Sequence, residues 1–188
     1  MKYPIGIQQF EKIRKGGFVY VDKTAQVYQM AAQGSYYFLS RPRRFGKSLL
    51  VSTMEAYFSG KKELFEGLAL EQLETEWKSY PVLHLDLNVD AYNTPDSLDH
   101  VLNEMLSQWE TIYGSNPNEV TLALRFKGII RRAFEQTGEQ VVVLVDEYDK
   151  PLLSTIDHKE LHDAYRDTLK GFFGVLKSQD PYIRFAFL

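Results

Sequence analysis

Two stretches decide the reading of this chain: residues 41–48, RPRRFGKS, and residues 141–151, VVVLVDEYDKP. The first carries most of a phosphate-binding loop and the second is an apolar run that ends in two acids. A nucleoside triphosphate with Mg²⁺ needs both. A lysine and free backbone N–H groups take the phosphates, and a hydroxyl and carboxylates take the metal. The order is right, and each half falls on the right kind of element. Residues 35–40, SYYFLS, read as a short aromatic strand before the loop. A helix from about Lys47 to Ser59 follows it, with Leu50, Met54, Tyr57 and Phe58 on one face and Gly60 as its stop.

The full loop pattern is Gly-x-x-x-x-Gly-Lys-[Ser/Thr], and here Arg41 stands at the first glycine. Gly46, Lys47 and Ser48 remain. A helix N-terminus offers unbonded N–H groups and the positive end of its dipole to an anion. Arg43, Arg44, Phe45 and Gly46 would then line the phosphates, Lys47 would reach the β- and γ-phosphates, and Ser48 would turn its hydroxyl to Mg²⁺. A surface helix cap can also carry Gly-Lys-Ser, so the tripeptide alone decides nothing. The acidic strand end adds the second half. Ligands of open α/β sheets bind beyond the carboxyl ends of the strands, which is where Asp146 and Glu147 fall. Asp146 would hold Mg²⁺ through a water, and Glu147 would polarise the attacking water. Asp149 fits a cap for the segment at Lys150-Pro151 better than a catalytic role.

Outward from these stretches the elements alternate. Residues 82–88, VLHLDLN, set Leu83, Leu85 and Leu87 against His84 and Asp86, a half-buried strand pattern. Thr94-Pro95 reads as the cap and first residue of a helix with the stripe Leu98, Val101, Leu102, Met105, Trp109 and Ile112. Leu122, Phe126, Ile129, Ile130, Ala133 and Phe134 mark a helix that ends at Gly138. Residues 140–146 suit a parallel strand covered on both faces. Leu161, Ala164, Tyr165, Leu169, Phe172, Phe173 and Leu176 mark another helix, and residues 182–188, YIRFAFL, a last strand. Strands joined by helical crossovers predict a three-layer α/β fold with a mostly parallel sheet.

Composition agrees. The chain has 188 residues, 44% hydrophobic and 14% aromatic, enough for one domain with a core. A net charge of −3 argues against a dedicated nucleic-acid surface. There is no cysteine, which removes disulfides, thiol catalysis and cysteine-bound zinc. No apolar run approaches a membrane span, and the N-terminus lacks the pattern of a signal peptide; a cytoplasmic location is the expectation. His158 and His162 stand four apart on a helix, with no third ligand near in sequence to suggest a metal site. Trp77 and Trp109 read as core. Asp22, in YVDKT at 20–24, either caps the helix around Val27 and Met30 or belongs to a segment lying against a nucleotide base. Arg41, Arg43 and Arg44 either meet phosphate oxygens or pair with acids such as Asp22 or Glu55.

At the level of whole segments the chain resembles the AAA-ATPase-like family of bacterial proteins with a diverged P-loop domain. The segments are PIGIQQFEKIRKGGFVYVDKT at 4–24, YYFLSRPRRFGKSLL at 36–50, LFEGL at 64–68, DEYDKPLLS at 146–154 and FFGVLKS at 172–178. Within this family's pattern Arg41 is no departure. The resemblance implies ATP and Mg²⁺ as ligands, with Lys47 and Ser48 on the phosphates and metal, and Asp146 and Glu147 on the metal and the water. It implies a strand order of 5-1-4-3-2, with residues 35–40, 82–88, 140–146 and 182–188 as strands 1 to 4 and strand 5 missing. Many members are similar in carrying a C-terminal PD-(D/E)XK nuclease-like domain, of which this stretch holds no sign. The expected sensor residue after strand 4, strand 5 and the lid are not in the sequence, so the chain reads as a C-terminally truncated domain that hydrolyses weakly by itself and self-associates through its open sheet edge. The function expected of the longer protein is ATP hydrolysis that drives or times a conformational change coupled to a C-terminal region. A non-hydrolysing nucleotide switch and a nucleic-acid processing component are the alternatives. ATP is preferred over GTP because no Asn-Lys-x-Asp motif is present.

Overall fold

The structure, a computed structural model, describes residues 1–40 and 45–188. Arg41, Pro42, Arg43 and Arg44 lie outside the described residues. Four parallel strands form the sheet: β1 (Tyr36–Tyr37), β2 (Val82–Asp86), β3 (Val141–Asp146) and β4 (Ile183–Phe187). Their order is β1-β4-β3-β2, which is the expected 5-1-4-3-2 with no fifth strand among the described residues. β1 is shorter than the six residues expected. Its pairing nevertheless extends on either side, because Ala186 N–H donates to Ser35 O at 2.7 Å and Leu39 N–H to Leu188 O at 2.7 Å.

All six residues of β3 are buried. Its alternate side chains feed two cores. Val141, Val143 and Val145 join Leu83 and Leu85 of β2 and Leu87 just beyond it, beneath three long helices: α5 (Ser97–Tyr113), α6 (Leu122–Thr137) and α8 (Lys159–Ser178). Val142 and Leu144 join Phe185 and Phe187 on the other face. That face is covered by α1 (Phe10–Lys15), α2 (Thr24–Gln33), α3 (Lys47–Phe58) and α4 (Ala69–Leu73). The register between β3 and β4 skips Arg184, whose guanidinium donates to Ala31 O at 2.7 Å. That one-residue slip turns Ile183 and Ala186 to the same core.

Two helix readings need correction. α5 starts at Ser97, not Pro95, because Thr94 to Ser97 close a turn: Ser97 N–H donates to Thr94 O at 3.2 Å and the two hydroxyls lie 2.8 Å apart. Ile112 is 65% exposed, while Leu106 is buried and Tyr113 packs on the core. The 3.6-residue period carries the apolar stripe past position 112 to 113. α6 begins with Thr121 accepting from Leu124 N–H and ends at Gly138 in the left-handed region, φ +72°. A short helix, α7 (Lys150–Ser154), follows the acidic strand end. Among the described residues no helix is long and apolar enough to cross a membrane.

Candidate functional site

α3 begins at Lys47, capped by Gly46 with φ +76°. Only glycine holds that backbone without strain, so the loop delivers Lys47 and Ser48 to the first turn with their N–H groups unbonded. Across from them β3 ends at Asp146, and Glu147 sits at φ +53°, a region costly for a residue with a side chain. Two bonds hold the turn: Glu147 N–H donates to Asp146 Oδ1 at 3.0 Å and Lys150 N–H to Glu147 O at 2.9 Å. In this pose Glu147 Oε1 is 4.0 Å from Lys47 Nζ, both side chains mostly covered. The sequence separates them by a hundred residues; the parallel sheet brings them face to face.

Three adjoining cavities surround this point. One of about 650 Å³ is lined by Phe45, Gly46, Lys47, Ser48 and Glu147, and roofed by Gly6, Ile7 and Gln8. A second, apolar one of about 630 Å³ opens on the other side of Gly46, between Tyr3, Val21, Phe38 and Leu50. A third, polar one of about 480 Å³ runs past Ser48, Asp146 and Glu147 toward β2. Phe45, Gly46, Lys47, Ser48, Asp146 and Glu147 therefore line adjoining cavities, while Arg43 and Arg44 fall outside the described residues.

The remaining sequence readings resolve locally. Asp22 does cap: its carboxylate accepts from Thr24 N–H at 2.8 Å and Thr24 Oγ1 at 2.7 Å, and its other oxygen from Ala69 N–H at 2.7 Å, tying together the starts of α2 and α4. Its neighbours Tyr20, Val21 and Lys23 line the apolar cavity. Asp149 occupies the position before α7 but makes no side-chain cap bond. His162 Nδ1 donates to Leu152 O at 3.1 Å; among the described residues no cluster of histidines and acids is fit to hold a metal by itself. Ser48 and Asp146 supply a hydroxyl and a carboxylate to one cleft. These are hard oxygen donors of the kind Mg²⁺ prefers, and Mg²⁺ takes few protein ligands beside phosphate and water.

Sequence reasoning missed Gly6–Gln8, Asn88 and His84. Asn88 lines both the loop cavity and the polar cleft, held two residues beyond β2 by a bond from its N–H to Asp86 Oδ1 at 2.9 Å. His84 Nδ1 lies 2.9 Å from Glu55 Oε2. A carboxylate can only accept, so Nδ1 carries the proton. Burial works against the charged imidazole. The bond to Glu55 and the nearby Asp86 and Asp146 outweigh it, and the His84 pKa lies above its ordinary value.

A helix N-terminus and an acidic strand end, side by side on a parallel sheet of order β1-β4-β3-β2, fit the class of P-loop α/β domains. The chain belongs to the AAA-ATPase-like family, described as Predicted AAA-ATPase, which it matches over residues 4–188. A protein of Azotobacter chroococcum mcd 1, described as an uncharacterized protein in the vnfD 5′ region, is 41% identical over 191 residues. The alignment covers all of this chain and 36% of that relative. No solved structure matches.

Proposed function

We propose that this chain binds Mg·ATP at the start of α3 and contributes the general base for its hydrolysis, the Glu147 carboxylate, and that hydrolysis times a conformational change in the protein. The observation that carries the reading is Lys47 facing Glu147 at 4.0 Å across one cavity. A cation for the phosphates and a carboxylate for water stand where both reach the same ligand. In the absence of phosphates the two charges hold each other. With a triphosphate bound, Lys47 exchanges that partner for phosphate oxygens and the Glu147 carboxylate is released to accept a proton from water. Ser48 and Asp146 would hold Mg²⁺, which when bound neutralises charge on the β- and γ-phosphate oxygens. The purine would lie in the apolar cavity. Among its described lining residues there is no Asp or Glu to accept from the N1 and N2 donors of guanine, which favours adenine.

Lys47→Ala should weaken ATP affinity at least tenfold while leaving the melting temperature near that of wild type, because it removes a charge and little core. In the full-length protein, Glu147→Gln should keep Mg·ATP binding and lose turnover by about 10²-fold or more, the usual worth of a positioned base. Calorimetric titration and a phosphate-release assay read the two effects. Unchanged affinity in Lys47→Ala rejects the site. Equal turnover in Glu147→Gln rejects Glu147 as the base and favours the nucleotide-switch reading.

A further inference from the structure

We infer that His84 is a positioning residue for the metal side of this site, holding a water between its Nε2 atom and the carboxylates of Asp86 and Asp146. The inference rests on the nucleotide reading above and deepens it. Ser48, Ser52 and Glu55 are spaced i, i+4, i+7 along α3, so they share one helix face. All three line the polar cleft together with His84 and Asp86 of β2. Beside the apolar contact that Val51, Met54 and Phe58 make with the sheet, the edge of the phosphate helix that faces β2 is thus polar for two turns below Ser48.

Buried polar groups in such a place are paired or bridged by water. Ser52 is paired, since its Oγ accepts from Phe10 N–H at 2.7 Å. Glu55 is paired with His84 Nδ1 at 2.9 Å. Glu11 and Lys61, further charged groups of the cleft, are bonded to each other at 2.8 Å. His84 Nε2 stands apart: it is buried and has no hydrogen-bond partner among the described residues. Its placement says what it serves. His84 and Asp86 are two apart on β2 and leave the same face of the sheet, and Asp86 is in register with Asp146 on β3. His84 and both carboxylates line the same cleft. The cleft, at about 480 Å³, has room for water. Glu55 fixes the ring, the ring fixes the water, and the water orients the acid that would hold Mg²⁺. This is the way ligands of metal sites are commonly oriented by groups one bond further out.

The test compares nucleotide affinity with Mg²⁺ and with EDTA, by calorimetry on folded protein. In His84→Ala the affinity gained from Mg²⁺ should fall by about tenfold, the lower range for loss of an outer partner of a metal ligand. His84→Gln, whose amide reaches the place of Nε2, should restore most of it. In wild type the imidazole ¹⁵N resonances should move on adding Mg·ATP and not on adding ATP with EDTA, a readout that needs no variant to fold. Full Mg²⁺ enhancement in folded His84→Ala, or resonances indifferent to Mg·ATP, would overturn the role. Lys47→Ala separates the two failures. If it binds as wild type does, the site itself is wrong and this role falls with it. If it loses binding while His84→Ala keeps its full response to Mg²⁺, the role of His84 alone is wrong.

Discussion

Glu147 sits at φ +53°, where a glycine would rest more easily, and the molecule spends two backbone-anchored hydrogen bonds to keep it there. Backbone strain of this kind persists where the surroundings over-determine it and tends to mark functional positions. His84 and Glu55 make a second residue-scale case, with a pH consequence. The His84 pKa is raised above its ordinary 6.5, so its contribution to stability is complete below that value and fades as pH climbs through the raised pKa. The Glu55 pKa is lowered from 4.5, chiefly by the His84 bond, so its contribution holds above that value and fades as pH falls. The pair therefore stabilises most between the two. Glu55→Gln should lower the melting temperature more at about pH 6 than at about pH 9. The effect is modest, because the Glu55 side chain is 43% exposed. A penalty that stays level or grows toward high pH would show that the pair is not charged as described.

At the scale of elements, α6 shows how a glycine can serve a neighbour. A Cβ on Gly128 would lie 1.9 Å from Glu119 Oε1, and Glu119 is held in a two-pronged bond by Arg132 at 2.7 and 3.1 Å. Gly128→Ala must push that carboxylate away and break the pair. In wild type it should destabilise despite the gain in helix propensity. In a Glu119→Ala background the same change should stabilise by about 1 kcal/mol, the ordinary alanine-for-glycine gain in a helix. Denaturant unfolding of the four variants decides, and the same sign in both backgrounds refutes the steric account.

The long elements were legible in the sequence because periodicity needs length to speak. α6 and α8 were read nearly to their ends, and the strand order followed from the resemblance. α1, α4 and α7, at five or six residues each, are too short to show a period. The Thr94-Pro95 cap was misplaced because a hydroxyl pair with Ser97 closes a turn that looks, in sequence, like a helix start. The site divides the same way. Lys47, Ser48, Asp146 and Glu147 announce themselves because each lies inside a local motif. Gly6, Gln8, His84 and Asn88 reach the same cavities only through packing of the N-terminal segment and β2, and nothing local in their sequence marks them.

At the scale of the whole molecule the sheet is a partition. Helix α3 belongs to one face, the long helices α5, α6 and α8 to the other, and β3 presses a side chain into each in turn. The two tryptophans fall one to a side. Trp77 packs against Tyr57 and Phe65 with ring centroids 6.1 and 5.3 Å away, in the layer that carries α3. Trp109 stacks on Phe126 at 6.0 Å, and Phe126 on Phe172 at 4.5 Å, in the layer behind. The protein thus carries a fluorescent reporter in each half. With Trp109→Phe the tryptophan emission comes only from the layer of α3; with Trp77→Phe it comes only from the opposite one. Because β3 and β4 supply side chains to both cores, each variant's emission should follow the same unfolding curve as its own circular dichroism, as one cooperative unit requires. Emission that departs from the dichroism in one variant and not in the other would reveal a sheet with one face able to melt while the other stays lit.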